Sequence, residues 1–257
     1  MTYQIIQYFK FLLKSTNQHG VHSPFVYDLV TKCFYDRKQH EAYDRISDYR
    51  KKLLHNHELI KVTDLGAGSQ VMSHQERKVS SMAKNAGSTT KRAKLLYRLS
   101  AYFKPQNILE LGTSLGIATQ ALSLGNPSAN ITTIEGCTNI SAFSKAAFKD
   151  QNLNNITAIT GDFSSEIQKL HSNTYDLIFF DGNHQKEVTL AYFEALLPTA
   201  NNDSVFIFDD IYWSEGMTEA WEIVKKHPKV TVSIDTFFWG FVFFRKEQLK
   251  EDFVIRC

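Results

Sequence analysis

The chain has 257 residues, of which 43% are hydrophobic and 22% are charged. This composition is close to the average of globular proteins, and it excludes a disordered chain because it supplies enough apolar side chains for a sizeable core. The 29 Lys and Arg residues nearly balance the 27 Asp and Glu residues, so the formal net charge of +2 does not indicate a polyanionic partner for the chain as a whole.

The first hundred residues are predicted to be mainly helical. Apolar side chains recur at helical spacing in residues 3–14, 25–35 and 91–103, and a strongly charged helix is expected over residues 41–55. Ser23 is the expected N-cap of the second helix, and Pro24 follows at its first position, where a missing N–H costs nothing. Residues 66–90 are rich in Ser, Gly, Lys and Thr, which predicts a loop or mobile segment.

Charge is distributed unevenly along the chain. Residues 1–100 contain 17 Lys and Arg against 8 Asp and Glu, whereas residues 101–257 contain 12 against 19. The basic part could face an anionic partner such as RNA, or its charges could simply lie on solvated helix faces. We favour the solvated faces.

Strands and helices alternate from residue 107 onward. The predicted strands are residues 107–111, 131–134, 156–160, 175–180, 204–208, 230–234 and 240–244. The predicted helices are residues 116–124, 141–151, 185–197 and 216–226. Five βα units closed by a final antiparallel strand pair predict an α/β fold with a doubly wound, mostly parallel Rossmann-like sheet. We therefore divide the chain into an N-terminal helical cap and loop region, 1–90, and a sheet domain, 91–257.

A glycine turn follows the first strand of this alternating pattern. Residues 108–116 have the sequence ILELGTSLG, in which Glu110 precedes the turn. Gly112 and Gly116 permit a close approach of the backbone to a ligand. The spacing differs from the G-x-G-x-x-G pattern that cradles a pyrophosphate, which argues against an NAD-dependent oxidoreductase.

Acidic residues end the next two strands. Glu135 ends one and could accept hydrogen bonds from both hydroxyls of a ribose. Asp162 ends the following strand, where it could accept a hydrogen bond from the amino group of adenine. The glycine turn and the acids that follow it resemble the motifs of the class I S-adenosylmethionine-dependent methyltransferases. Unrelated acids on a Rossmann-like sheet are the alternative.

The resemblance implies that residues 91–257 form an S-adenosylmethionine-dependent methyltransferase domain. It places Gly112, Ser114 and Gly116 near the methionine part of the cofactor, Glu135 on the ribose and Asp162 near adenine. The expected cofactor-binding residues are Glu110, Gly112, Thr113, Ser114, Gly116, Thr119, Glu135, Gly136, Cys137, Asp162, Phe163 and Asp181.

A second glycine turn occupies residues 63–69, with the sequence TDLGAGS after a strand-like LIKV segment. Neither an apolar helix nor an acid-terminated strand follows it, so we reject it as the cofactor turn. It is either a lid or substrate loop or a glycine-rich surface turn.

Three carboxylates follow the fourth and fifth strands of the pattern. Asp181 follows one strand, and Asp209 and Asp210 follow the next. The carboxyl ends of parallel strands open onto the same crevice, where these acids would repel one another unless a cation lies among them. Oxygen ligands without a nearby Cys favour Mg²⁺, Ca²⁺ or Mn²⁺. Strand-end caps without a metal are the alternative.

These motifs resemble those of the metal-dependent catechol and caffeoyl-CoA O-methyltransferases and their bacterial relatives, over about residues 91–245. The resemblance implies metal ligands at Asp181, Asp209 and Asp210, with Asp210 in place of the usual Asn. The family has a lysine base three residues after the first aspartate, where this chain has His184. Asp181 and His184 are the expected catalytic residues, with His184 as base or as the residue that orients a metal-bound water.

The predicted function is metal-assisted O-methylation with S-adenosylmethionine and a divalent metal, most simply Mg²⁺. A small catechol-like phenol is the expected acceptor, and a hydroxylated base in transfer RNA or a non-catalytic binding role are alternatives. Trp213 is the best candidate for an aromatic wall, while Phe238 is expected in the core. We expect no membrane partner, and a homodimer is possible.

Cysteine usage points to a reducing compartment. Cys33, Cys137 and Cys257 are far apart and form no C-x-x-C motif, so neither a disulfide framework nor a zinc site is indicated. The first twenty residues lack the features of a signal peptide, and no apolar run is long enough to span a bilayer. We therefore expect a cytoplasmic location.

Overall fold

The computed structural model describes residues 2–63, 76–85, 87–170 and 172–257. These residues form two compact units, the first from residues 2–35 together with 167–257 and the second from residues 36–166. The division at residue 90 stays a prediction about the organisation of the chain. The second glycine turn at residues 64–69 lies outside the described residues, as does the rest of the segment up to residue 75.

Ten α-helices and ten β-strands are present in the described residues. The helices are α1 (Thr2–Lys14), α2 (Pro24–Leu29), α3 (Ala42–Leu54), α4 (Val79–Asn85), α5 (Thr90–Phe103), α6 (Ile117–Gly125), α7 (Thr138–Asp150), α8 (Phe163–Lys169), α9 (Lys186–Leu196) and α10 (Glu215–Lys226). The strands are β1 (Leu59–Lys61), β2 (Glu76–Lys78), β3 (Asn107–Leu111), β4 (Asn130–Glu135), β5 (Ile156–Thr160), β6 (Tyr175–Phe180), β7 (Ala200–Asp209), β8 (Val232–Asp235), β9 (Trp239–Phe243) and β10 (Glu251–Val254).

The second unit is organised around three parallel strands in the order β3-β4-β5. Strands β3 and β5 have the bounds that their apolar runs predict. The N-terminal helices α3 and α5 belong to this unit, and both were predicted. Helix α5 is followed by its C-cap residue Lys104, which adopts a left-handed backbone conformation with φ of 48°.

Helix α4 corrects the prediction of a loop over residues 66–90. Its apolar residues Val79, Met82 and Ala83 are buried at helical spacing, and Val79 donates its backbone N–H to the Glu58 carbonyl. Strand β2, just before this helix, pairs antiparallel with β1. The Ser- and Lys-rich composition of the segment concealed this short apolar face.

The first unit contains five strands in the order β10-β8-β9-β7-β6. Strands β6 and β7 are parallel, whereas β9 is antiparallel to both β7 and β8. The predicted antiparallel pair near the C-terminus is therefore confirmed as β8 and β9. The sequence did not predict β10, which lies parallel to β8 and has a short polar sequence with one buried aromatic residue, Phe253.

Helix starts in the first unit follow the predicted capping chemistry. The Ser23 hydroxyl accepts the backbone N–H of Val26 at 3.4 Å, and Pro24 is the first residue of α2. A π-helical segment, Val30–Phe34, continues α2. None of the described helices is long and apolar enough to cross a membrane.

Candidate functional site

The predicted cofactor turn joins β3 to α6 within the second unit. Three of its residues, Gly112, Ser114 and Gly116, have positive φ angles of 105°, 47° and 76°. The backbone N–H groups of Gly112 and Thr113 both donate to the Ile134 carbonyl, at 3.0 and 3.2 Å. A Cβ atom at position 116 would lie 2.5 Å from the Phe148 ring, so only glycine fits there.

Glu110 lies beneath this turn, fully buried. Its Oε2 atom accepts hydrogen bonds from the hydroxyls of Thr119 at 2.5 Å and Thr133 at 2.6 Å. Its Oε1 atom is buried without a hydrogen-bond partner among the described residues. Burial raises the pKa of Glu110 to about 7, and the two threonine hydrogen bonds act in the opposite direction.

Thr113 connects the turn to the buried carboxyl group. The Thr113 and Thr133 hydroxyl oxygens are 2.6 Å apart. Because Thr133 gives its single proton to Glu110, Thr113 must donate to Thr133. Glu110, Thr113 and Thr119, all expected near the cofactor, thus form an interior hydrogen-bond network that holds the turn.

Glu135 lies at the end of β4 and is bound to the same turn. Its Oε2 atom accepts the Ser114 N–H at 2.8 Å, and its Oε1 atom accepts the Cys137 N–H at 2.9 Å. A carboxylate oxygen can accept more than one hydrogen bond, including bonds from the hydroxyl groups of a ligand. The carboxylate therefore orders the turn and can still bind a ligand.

Residues after β4 and β5 begin the next helices. Cys137 is the N-cap of α7, and its buried sulfur accepts the Thr63 N–H at 3.4 Å. Asp162 is exposed and caps α8, with its Oδ2 atom accepting the Ser165 N–H at 3.0 Å. Sequence reasoning missed α8, which starts at Phe163 and buries only one residue, Ile167.

Sequence reasoning also missed Tyr49 of α3. Its buried hydroxyl donates to the Leu115 carbonyl at 2.6 Å, and burial raises the pKa of Tyr49 well above its usual value. A helix assigned to the N-terminal cap therefore supports the glycine turn directly. Nothing in the local sequence around Tyr49 indicates this contact.

A cavity of about 830 Å³ lies elsewhere in the second unit, lined by residues of α3, β1 and α7. Its walls include Lys52, Lys61 and Phe143. None of the strand-end acids lines it, so this cavity is not the predicted cofactor site.

The candidate metal group lies in the first unit. Asp181, His184 and Asp209 each offer one ligand atom, and these atoms all lie within 4.8 Å of one another. The structure thus brings together two of the three predicted ligands, Asp181 and Asp209, and adds His184. Asp210 is not in the group: it has a left-handed φ of 51°, and its carbonyl accepts the Trp213 N–H.

The neighbours of this group restrict its side chains. The Trp239 indole N–H donates to the Asp209 Oδ1 atom at 2.6 Å, and both residues are buried. Asn183 has a φ of 55°, and its buried Oδ1 atom has no hydrogen-bond partner in the described part of the chain. A hydrogen bond like the one from the Trp239 indole to Asp209 is typical of the interactions that orient the side chains of metal ligands.

The donor set fits a divalent cation. Two carboxylates and one imidazole suit Mn²⁺, and Mg²⁺ also fits where waters complete an oxygen-rich shell. The imidazole was not predicted as a ligand, because the motif comparison assigned it the role of a base. Its position beside both carboxylates permits either role.

Aromatic residues surround the metal group. The Trp213 ring lies 6.4 Å from the His184 ring, and its role as an aromatic wall stays a prediction. Tyr212 has a structural role instead: its hydroxyl donates to Asp235 at 2.6 Å, and burial raises the pKa of both groups. Phe238 was wrongly expected in the core. It is 48% exposed, because Phe237 turns the chain with a φ of 72°.

Residues 109–211 match a family model described as a methyltransferase domain. This range contains the glycine turn, both strand-end acids and the metal group. The chain resembles the class I S-adenosylmethionine-dependent methyltransferases and has their fold. No protein of curated function matches the sequence.

Solved methyltransferase structures align with most of the chain. The O-methyltransferase of Bacillus cereus, solved in complex with S-adenosylhomocysteine, has 18% identity and a TM-score of 0.54, covering 83% of this chain and 95% of that one. TomG of Streptomyces achromogenes, an O-methyltransferase of tomaymycin synthesis solved with S-adenosylmethionine, has 14% identity and a TM-score of 0.58, covering 84% and 95%. Methyltransferase PaMTH1 of Podospora anserina, bound to S-adenosylhomocysteine, has 14% identity and a TM-score of 0.60, covering 88% and 97%. These likenesses confirm the predicted α/β, mostly parallel Rossmann-like fold.

Proposed function

We propose that the protein is an S-adenosylmethionine-dependent O-methyltransferase that uses a divalent metal and acts on a small phenolic hydroxyl. One observation carries the proposal: a matched methyltransferase domain contains two carboxylates and an imidazole, Asp181, Asp209 and His184, with ligand atoms within 4.8 Å. A divalent cation held by this group would lower the pKa of a hydroxyl group, which favours oxygen as the methylated atom. Two of the similar solved structures are O-methyltransferases, which adds support.

The methyl donor would bind the second unit. Gly112, Ser114 and Gly116 would face its methionine part, Glu135 would accept hydrogen bonds from the ribose hydroxyls, and Asp162 would lie near adenine. Gly136, Cys137 and Phe163 would complete the contacts to the nucleoside. Glu110, Thr113 and Thr119 would act through the position of the turn, since their buried groups bind one another.

Asp181, Asp209 and His184 would hold the metal, with Asp210 kept as a candidate for a further ligand. When bound, a divalent cation supplies Lewis-acid chemistry that lowers the pKa of a hydroxyl group. Trp239 would fix the orientation of Asp209 through its indole N–H. Trp213 would contact the flat face of the acceptor.

Where Asp181 and Asp209 hold the metal without His184, a ring nitrogen of His184 would take the proton of the acceptor hydroxyl. The acceptor oxygen would then form a bond to the methyl carbon as the bond from that carbon to sulfur breaks, and S-adenosylhomocysteine would leave. Alignment of the oxygen with the methyl group would supply much of the rate. Where His184 is a metal ligand instead, a water would receive the proton.

A hydroxylated base in transfer RNA is the second acceptor, favoured only by the excess of basic residues in the first hundred positions. A non-catalytic binding protein is a third possibility, which the intact set of acids and His184 argues against. The small phenol needs no surface beyond the metal group and Trp213, so we place it first.

The test is transfer of a labelled methyl group from S-adenosylmethionine to a panel of catechols and simple phenols, with and without added Mg²⁺ or Mn²⁺. Asp209→Asn should abolish transfer while S-adenosylmethionine binding, measured by calorimetry, persists. Asp176→Asn is the matched control, because Asp176 lies on β6 at the end opposite Asp181. Binding of NAD in place of S-adenosylmethionine would overturn the proposal.

A further inference from the structure

Helix α1 presents its apolar face to solvent. Ile5, Phe9 and Leu13 form one row along the helix at a spacing of four residues, and Phe9 and Leu13 are 63% and 88% exposed. Ile6 and Tyr8 lie on either side of this row, each about half exposed. A surface helix normally turns such a row toward the core, so this arrangement is inverted.

Polar side chains attach the opposite face of α1 to the first unit. The Tyr3 hydroxyl donates to the Thr218 hydroxyl at 2.8 Å, and the Gln4 amide donates to the Trp213 carbonyl at 3.2 Å. Phe11 is the only residue of the helix that is fully buried. The helix is therefore anchored, and its outward apolar row is a fixed feature of the surface.

The apolar face extends beyond the helix. The Tyr8 ring packs on Phe237 with ring centres 4.8 Å apart, and Phe237 contacts the exposed Phe238 at 5.0 Å. The exposed α1 residues and Phe238 together expose an area on the order of 600 Å², taking their exposed fractions and roughly 200 Å² for a fully exposed large side chain. Two such faces would bury about 1,200 Å², which is the lower limit for specific protein interfaces.

We propose that a second copy of this chain covers this face, with the two α1 helices packed antiparallel about a two-fold axis near Phe9. Rows spaced by four residues interdigitate at a crossing angle of about 50°, which suits the Ile5–Phe9–Leu13 row. A two-fold interface needs a self-complementary surface, and an apolar row satisfies that condition.

The distribution of charge selects the antiparallel arrangement. Residues 1–27 contain no Asp or Glu, and the exposed Lys10 and Lys14 lie in the C-terminal half of α1. The Tyr3–Thr218 bond places the first turn of α10, with exposed Glu215, beside the N-terminal half. Antiparallel pairing brings the lysines of one copy toward the acidic end of the other, whereas parallel pairing brings lysine against lysine.

The same face could instead lie on an anionic membrane, as amphipathic helices with flanking lysines do. Two lysines supply little attraction to such a surface, since each contributes only about 1 kcal/mol. Exposed Glu215 on the adjoining turn would further oppose it. A second copy of this chain is therefore the favoured occupant of the face. This proposal does not depend on the proposed methyltransferase activity.

Sedimentation velocity from low to high micromolar concentration tests the proposal. The wild type should dimerise, and Leu13→Asp should raise the dimer dissociation constant about 100-fold or more, because each substitution counts twice in a symmetric interface. Leu249→Asp is the matched control: Leu249 is 91% exposed in the same unit and lies outside the face. Both side chains are exposed, so neither substitution disturbs the core.

A cysteine pair provides an independent measurement. In a Cys257→Ser background, which removes the only exposed cysteine in the described residues, Phe9→Cys should form an intermolecular disulfide on mild oxidation. A wild type that stays monomeric at high concentration would overturn the proposal. So would a dimer that Leu13→Asp and Leu249→Asp leave equally intact, or a monomer whose Leu13-dependent binding to phosphatidylserine vesicles assigns the face to a membrane.

Discussion

The buried carboxyl group of Glu110 should make the stability of the fold depend on pH. Its pKa is raised from the usual 4.5 to about 7, first by burial. Between these two values the folded state holds a proton that the unfolded state has released, so the free energy of unfolding falls as the pH rises through this window. The loss is complete above about pH 7 and absent below about pH 4.5.

The size of the effect follows from the shift in pKa. One pKa unit corresponds to about 1.4 kcal/mol, so the shift of Glu110 corresponds to roughly 3 kcal/mol across the window. Glu110→Gln is neutral at every pH, and its amide oxygen can still accept from Thr119 and Thr133. The variant should match the wild type at about pH 4.5 and become more stable than it by up to roughly 3 kcal/mol at about pH 8.

Urea unfolding followed by tryptophan fluorescence at a series of pH values measures this difference. Glu58→Gln is the control, since Glu58 is an exposed carboxyl group of the same unit and its removal should leave the pH dependence of the wild type unchanged. Parallel stability curves for Glu110→Gln and the wild type would refute the reasoning. They would mean that Glu110 ionises as easily in the folded chain as in the unfolded one.

Three further predictions concern ligands. Glu135→Ala should weaken S-adenosylmethionine binding by about 2–3 kcal/mol in calorimetry, because a charged acceptor is lost and the turn loosens; unchanged affinity would contradict the assignment. Removal of metal by EDTA should stop turnover as completely as Asp209→Asn does, and full activity of metal-free protein would leave proton removal alone as the mechanism. Charge reversal at Lys91, Arg92 and Lys94 should leave the methylation of a small phenol unchanged, and filter binding in ~150 mM salt should detect no RNA complex. A saturable, salt-sensitive RNA complex would instead indicate a nucleic-acid acceptor.

Long apolar runs determined which elements could be predicted. Strand β6 was predicted with its observed bounds because five of its six residues are apolar and buried, as expected of a strand covered on both faces. Helices α4 and α8 and strand β10 were missed because each is short and buries few side chains. Their stability comes from packing against distant parts of the chain, which local periodicity does not reveal.

The candidate site shows a similar limit at the level of single side chains. That acids end β3, β4, β6 and β7 is visible in the sequence, and so is the expectation that some of them lie close together. The direction of a side chain after the strand end depends on backbone angles that the sequence did not indicate. Glu110 was expected to contact the cofactor because of its place in the glycine-turn motif. Its carboxyl group is instead buried and hydrogen-bonded to threonine hydroxyls.

Asn183 and Asp210 explain why the metal group differs from the motif-based set. Both adopt left-handed backbone conformations without being glycine, a conformation that Asn and Asp tolerate better than other residues. In the observed structure His184, just after Asn183, lies beside Asp181 and Asp209, and Asp210 is outside the group.

A carboxylate has thus been exchanged for an imidazole, which lowers the negative charge of the group by one. A less negative group attracts a hard cation less strongly, and its imidazole is also a candidate proton acceptor, so metal affinity and proton removal depend on the same side chain. His184→Asn should therefore change both the metal affinity and the pH profile of turnover. Replacement of a residue that acts only as the base would change the pH profile alone.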